Sequence, residues 1–296
     1  MTRPLRAFWW SPRRAPRTLL SECRQNGVAW AHLGWPVGRA FTNHGDELSQ
    51  LVLREATGRT VEWAPLGRED VVAIGSLLVL YLRQGGVGQI WGSGIHAPEV
   101  SDADRARVAD RVLAVRGPLA RTTLGLPETT QLGDPGLLVR GFTPRAPRRA
   151  GSVLITHFTS HRTAEERARI RAVRAAGVRI LPPTLAPEEM LREIAGADHV
   201  MSAGMHGVIL AHALRTPATL VSLKSPHPTS AGFKYHDYHQ SVGLSPRLVP
   251  WTDIIDAGGR ARELDIAAGT VATVDARIDA LVAGLLEAAA PLRSGR

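Results

Sequence analysis

The chain has 296 residues, 44% of them apolar, which is material for two hydrophobic cores of ordinary size and contains no run near the roughly 20 apolar residues that span a bilayer. Its formal net charge of +9 comes from 36 basic residues, of which only Lys224 and Lys234 are lysines. The basic residues are dispersed, with local concentrations at 3–39 and 140–149 that carry neither a nucleic-acid motif nor interleaved aromatics, so nucleic-acid binding is excluded as a function class.

The apolar stretch at 7–10 is too short for the apolar region of a signal peptide, and the lone Cys23 fits a reducing compartment. The expectation is a soluble cytoplasmic protein, with one surface reading kept: the arginine-rich front, with Trp9 and Trp10, is a candidate for peripheral contact with an anionic membrane at its inner face. Buried strands are predicted at 5–10, 70–75 and 89–91, with helical spacing at 48–56 and 102–112. The segment 141–151, GFTPRAPRRAG, reads as a linker. Beyond it strands at 152–156, 178–181, 199–201 and 218–223 alternate with helices at 164–176, 187–195 and 206–214. Val274, Ile278, Leu281, Val282 and Leu285 mark an amphipathic C-terminal helix. Such alternation implies parallel sheets built from right-handed crossovers, in an α/β chain of two Rossmann-like αβα domains. The expected division is 1–145, 151–270, and a helix at 271–296 that packs back across the boundary. Parallel sheets bind ligands beyond the carboxyl ends of their strands, so the cleft between domains is the place to look.

Four segments sit at such positions: Asn43-His44-Gly45-Asp46, Trp91-Gly92-Ser93-Gly94, His157, and Ser202-Ala203-Gly204-Met205-His206-Gly207. Helices opening beside a glycine offer free N–H groups and a positive dipole end to an anion. Read from the residues alone, these remain open. Asp46 equally caps a helix, His206 equally packs at the start of one, and His157 equally orients its neighbours. Arg116 follows the apolar 112–115 and precedes Gly117-Pro118, a strand-end placement, whereas Asp134 in Gly133-Asp134-Pro135-Gly136 reads as a turn residue. The histidines, including His44, His96, His161, His236 and His239, lack metal-ligand spacing with acidic or cysteine partners, so no metal is expected.

Taken in order, TNHGDELSQLVL, VVAIGSLL, IWGSGI, VLAVRGPLARTTLG, QLGDPGLLV, SVLITHF and GVRILPPTLAPEEMLREIAGADHVMSAGMHGVILAHALRTP resemble the polysaccharide pyruvyl transferases. FKYHDYHQSVGL is similar to a Phe-Lys-aromatic-x-Asp-aromatic segment of the succinoglycan-type branch. The resemblance spans about residues 40–245 and implies a GT-B-like arrangement, with a cleft between the domains. It also implies transfer of the enolpyruvyl group of phosphoenolpyruvate onto two hydroxyls of a sugar, in a polysaccharide or its lipid-linked precursor, as a ketal. Phosphoenolpyruvate is then a substrate, and no cofactor is implied. Many members carry Arg-Leu-His where this chain has Gly204-Met205-His206, so the cations left to hold the donor are Arg116 and Lys234. His206 is the implied general acid, with Asp46 the carboxylate that takes protons from incoming hydroxyls. His157, Asn43, Gly45, Ser93 and Gly94 complete the expected donor site. Lys234 is expected in a loop after the 218–223 strand. The alternative is a GT-B glycosyltransferase using a nucleotide sugar, which needs a C-terminal carboxylate on the sugar; Asp198, Asp237, Asp253 and Asp256 are the candidates.

Overall fold

The computed structural model describes residues 3–96, 99–144, 147, 149–224, 228 and 231–294. The first half runs β1 (Leu5–Phe8), α1 (Pro16–His32), α2 (His44–Glu47), α3 (Ser49–Thr57), β2 (Val61–Trp63), β3 (Val71–Val72), α4 (Leu78–Arg83), β4 (Gln89–Ser93), α5 (Asp102–Val108), β5 (Val112–Val115), α6 (Pro118–Thr123) and β6 (Gln131–Leu132). The second runs α7 (Val139–Phe142), β7 (Arg149–Ile155), α8 (Ala164–Ala175), β8 (Arg179–Leu181), α9 (Pro187–Gly196), β9 (Ala197–Ser202), α10 (Met205–Ala213), β10 (Ala218–Ser222), α11 (Phe233–Ser241), β11 (Leu248–Pro250), α12 (Trp251–Ile255), α13 (Ala257–Ala288) and α14 (Ala290–Arg293).

Two separate sheets result, ordered β2-β1-β3-β4-β5-β6 and β11-β10-β9-β7-β8. All their pairings are parallel, as in Ala7 opposite Val71 and Val153 opposite Val200. The α/β architecture with two parallel sheets and a cleft between them is therefore the one the alternation implies. Each sheet changes direction once, between β1 and β3 and between β7 and β9. At such a switch point neighbouring crossovers run to opposite faces, which leaves a crevice at the strand ends.

Local chemistry sets these boundaries. Thr163 and Glu166 form a capping box that starts α8, and α9 opens on Pro187 and buries Met190, Leu191 and Ile194 on one face. α10 is buried almost all round, so its residues read as an apolar run rather than a stripe. The segment 141–151 is shorter as a connection than its composition suggests, because α7 extends to Phe142 and β7 begins at Arg149; residues 145, 146 and 148 lie outside the described set.

Each half has an apolar cluster of its own, around Tyr81 and Ile90 in the first and around Met201 and Val221 in the second, and a further cluster is shared between them. The shared cluster runs from Leu48, Leu137 and Leu138 through Val208 and Ile209 to Val274, Ile278 and Leu285. α13 packs against β4, β5 and β6 of the first sheet and against α10 and β10 of the second, and the Trp91 indole N–H donates to Leu285 O at 2.9 Å. Fully burying an aliphatic side chain contributes about 1.5–3 kcal/mol, so these side chains make α13 a principal fastener of the joint. No helix among the described residues is long and apolar enough to cross a membrane.

Candidate active site

A cavity of about 420 Å³ opens where the two switch points face each other. The first half contributes Trp10 after β1, Ser76 and Leu77 after β3, Asn43, His44 and Asp46 around α2, and Arg116 after β5. Thr156, His157 and Phe158 after β7, Ser202 and Gly204 to Gly207 at the end of β9, and Lys234 come from the second half. Of the nine residues singled out from the sequence, His206, Asp46, Arg116, Lys234, His157 and Asn43 line this one cavity.

α2 is held at the cleft by Glu47, whose carboxylate accepts from the Trp9 indole N–H at 2.8 Å and from Ser11 Oγ at 2.7 Å. Asn43 caps α2 by accepting from the Gly45 N–H, and its amide donates to Asp46 Oδ2 at 2.7 Å. Asn43 thus orients Asp46 with the side chain that was expected to hold donor. Burial, then the neighbouring Glu47, pushes the Asp46 carboxyl up to about 8, with Lys234 opposing the rise. Asp46 therefore carries a proton near neutrality.

His206 stands on the first turn of α10, half-buried, with its free surface in the cavity. Burial lowers its pKa well below the ordinary histidine value, and His44, Lys234, Arg116 and His157 push in the same direction. It is neutral near pH 7. His157 is pushed down to about 3, again first by burial and then by Lys234; its Nδ1 pairs with Thr159 Oγ1 at 2.8 Å. His44, which the sequence reading set aside, belongs here: its Nδ1 faces Pro183 O at 3.3 Å, while its buried Nε2 has no hydrogen-bond partner among the described residues.

Arg116 is 1% exposed, and its Nε meets Asp237 Oδ2 at 3.2 Å, while Nη1 donates to Ser76 Oγ at 2.8 Å. Asp237 Oδ1 also accepts from the Ala120 N–H at 2.9 Å, at the start of α6. Burial pushes the Asp237 carboxyl upward and Arg116 opposes it. Next along the chain, the Tyr238 hydroxyl pairs with His212 Nδ1 on α10 at 2.9 Å. α11 thus grips the first half through Asp237 and the second through Tyr238.

Lys234 lies in the first turn of α11, not in a loop: the residues of this helix that are buried (Asp237, Tyr238, His239, Ser241) are polar and give no apolar period to read. Burial and Arg116 lower the Lys234 pKa to about 8, and Asp46 partly restores it.

Two of the expected glycines serve through what they lack. A Cβ on Gly45 would stand 1.9 Å from His206 Nδ1, and one on Gly94 would stand 2.1 Å from Arg116 Cζ. Each glycine makes the room its neighbour occupies. Ser93 is a correction: its hydroxyl donates to Gly75 O at 2.9 Å and accepts from the Leu77 N–H, so it shapes the turn carrying Ser76 and is not part of the cavity wall. Asp134 is a turn residue as read, accepting from the Gly136 N–H, but it is fully buried and burial lifts it to about 6.

The tryptophans of the basic front are also corrected: Trp9 is buried on Glu47 and Trp10 faces the cavity, so neither is placed for a membrane, while Arg13 and Arg14 remain exposed. Among the described residues no group of three or more His, Cys, Asp or Glu is arranged to hold a metal ion. Of the late carboxylates, Asp237 is committed to Arg116, Asp256 caps α13 and Asp198 accepts from the Gly151 N–H. Asp46 is the sole acidic side chain among the described lining residues.

Comparison with solved structures finds the UDP-GlcNAc 2-epimerase of Methanocaldococcus jannaschii, in complex with UDP-GlcNAc and UDP, at a TM-score of 0.35 and 11% identity over 87% of this chain and 88% of that one. Among curated proteins the chain is 28% identical over 162 residues to the succinoglycan biosynthesis protein ExoV of Rhizobium meliloti (strain 1021), 54% of this chain and 49% of that protein. The chain thus spans about half the length of this relative. The sequence profile of the polysaccharide pyruvyl transferases matches residues 43–225, a segment that carries α2, Arg116, His157 and His206. With most of its length and most of its cavity wall inside that match, the chain belongs to the polysaccharide pyruvyl transferase family.

Proposed function

We propose that the protein is a ketal pyruvyltransferase of exopolysaccharide synthesis, moving the enolpyruvyl group of phosphoenolpyruvate onto two hydroxyls of one sugar, in the polysaccharide or a lipid-linked precursor. The observation that carries this reading is the composition of one cavity: two fixed cations, Arg116 and Lys234, beside a proton-bearing carboxyl, Asp46, and a neutral imidazole, His206. α10 also begins without a side-chain cap, so the free N–H groups of its first turn are available to an anion.

The chemistry assigns work to each group. The first sugar hydroxyl adds to C2 of the donor while C3 takes a proton, giving a tetrahedral ketal phosphate. Phosphate then leaves with the C2–O bond electrons, and the second hydroxyl closes on C2, its proton departing with the phosphate. Arg116 and Lys234 hold the carboxylate and phosphate while charge moves onto the leaving group. His206 is neutral before the donor arrives; the anion offsets Lys234 and Arg116, and the imidazole gains the proton it delivers to C3. The same change of field lifts Asp46 further, because it offsets the Lys234 charge that opposes the rise, so this carboxyl accepts the attacking hydroxyl's proton only where it is already ionised, a share that grows with pH.

Incubation with phosphoenolpyruvate and candidate sugars, with released phosphate measured, tests the proposal. Acceptor-dependent release is expected. Release absent with every acceptor, together with no heat of donor binding, overturns it.

A further inference from the structure

One wall of the cavity has no part in holding an anion. Trp10 follows β1 in the first half and Phe158 opens a short 3-10 helix after β7 in the second, so each stands beyond the carboxyl end of the first strand of its sheet. Both are half-buried, both line the cavity, and their rings stack across the joint with centroids 6.0 Å apart at 28°. The wall is braced from behind: the buried Trp30 stacks on Phe158 at 5.0 Å and 15°, and packs on Trp35 at 4.7 Å. Arg162 lies over the Phe158 ring and is tied by its Nε to Asn26 Oδ1 at 2.8 Å. Leu77, Val79 and Leu80 extend the apolar lining.

The wall also adjoins the reacting groups. The His157 ring lies 4.6 Å from Phe158, and a Cβ on Gly204, two residues before His206, would touch His157 Cδ2 at 3.5 Å. Aromatics and imidazoles therefore form one continuous surface, with the cations Arg116 and Lys234 also on the cavity.

A small trianionic donor gains nothing from desolvating against indole and phenyl rings. A pyranose does, because it has an apolar C–H face and a polar rim of hydroxyls, and a flat ring buries the first while leaving the second free. We infer that the Trp10–Phe158 wall is the acceptor platform, where the C–H face of a pyranose lies on the Trp10 ring and presents its hydroxyls toward His206 and Asp46. This rests on the reading of the cavity as a pyruvyl transfer site, and adds the class and seat of the second substrate. Phe158 lies inside the segment matched by the family profile and Trp10 outside it.

Saturation-transfer NMR with methyl glucoside, galactoside and mannoside probes the platform, and calorimetry with phosphoenolpyruvate probes the donor side independently, each on wild type, Trp10→Ala and Trp10→Phe. At least one pyranoside is expected to receive saturation on its ring C–H protons. Trp10→Ala should weaken it about tenfold, the scale of one aromatic contact, while Trp10→Phe keeps most of the affinity. Donor affinity should be equal in all three proteins, which a general loss of structure would not allow. No pyranoside bound by wild type, unchanged binding by Trp10→Ala, or an equal loss of pyranoside and donor affinity in Trp10→Ala overturns the platform. Pyranoside binding that depends on Trp10, in a wild type that binds no phosphoenolpyruvate, upholds the platform and sinks the donor assignment.

Discussion

Asp237→Asn tests the buried pair that sets Arg116. The carboxylate accepts on both oxygens, from Arg116 Nε at 3.2 Å and the Ala120 N–H at 2.9 Å, and it is fully buried. An amide has one acceptor oxygen, so whichever way the substituted side chain turns, one buried donor faces its NH₂ group. The charge of Arg116 is also left without its partner, and breaking a buried pair in this way costs about 3–5 kcal/mol. At about 2.1 cal/mol/K per residue of unfolding entropy, that cost lowers the melting temperature of a chain this long by about 5–8 °C. The loss should depend on ligand: an anion bound in the cavity restores a countercharge to Arg116. Differential scanning fluorimetry across a phosphoenolpyruvate titration should therefore show a gap between variant and wild type that narrows as donor rises. Equal melting temperatures without donor, or a gap indifferent to donor, would refute the reasoning.

Calorimetry near pH 7 in buffers of different ionisation enthalpy should show net proton uptake on donor binding, reduced in His206→Ala; that variant should also fall about 10²- to 10⁴-fold in turnover with an unchanged melt. Lys234→Ala should weaken donor binding by about 1.5–3 kcal/mol by calorimetry, the range for hydrogen bonds to a charged group, and equal affinities would remove Lys234 from the donor site. Gly45→Ala drives a methyl into His206 and should cut turnover far more than thermal stability; a fully active variant would show that the imidazole position is unimportant. Asp46 holds its proton to about pH 8 in the fold against 3.8 ordinarily, so its stabilising contribution is complete below about pH 4 and is lost as pH rises through about 8. Asp46→Asn should accordingly melt progressively higher than wild type between those limits, with no further gain above them; a pH-independent difference would show the carboxyl to be ionised throughout.

The second half was legible because its signals were local. The carboxyl ends of strands such as Arg149–Ile155 and Ala218–Ser222 are short buried runs, and α8 and α9 announce themselves through a capping box and an N-terminal proline. α1 escaped because it is mostly solvated, with Asn26 departing from helical geometry within it, and its buried residues, Asn26, Ala29 and Trp30, leave no stripe. The strand expected at 70–75 pairs only at Val71–Val72, since the chain then turns toward Ser76. Arg116 was readable from Val112–Val115 ahead of it and Gly117-Pro118 behind, but its partner Asp237 lies 121 positions away and no spacing encodes that pairing. Trp10, Phe158 and His44 were missed for the same reason: an aromatic after a strand, or an imidazole at the start of a short helix, acquires meaning only when the other sheet's strand end is brought opposite it.

The helix Ala257–Ala288 carries a consequence for how the molecule can be divided. It seals the first sheet through the Trp91 contact to Leu285 and shares a core with Val208 and Ile209 of the second. Residues 3–144 expressed alone would expose an apolar flank and an indole N–H with nothing to meet, and residues 149–294 would carry a helix with half of its buried face wet. Each piece would keep its own cluster and lose the shared one, so each is expected to be less stable alone than in the whole chain. Mixing the two fragments should restore a single cooperative melt at a higher temperature than either shows by itself, so under dissection the protein behaves as one body in which α13 completes the first sheet.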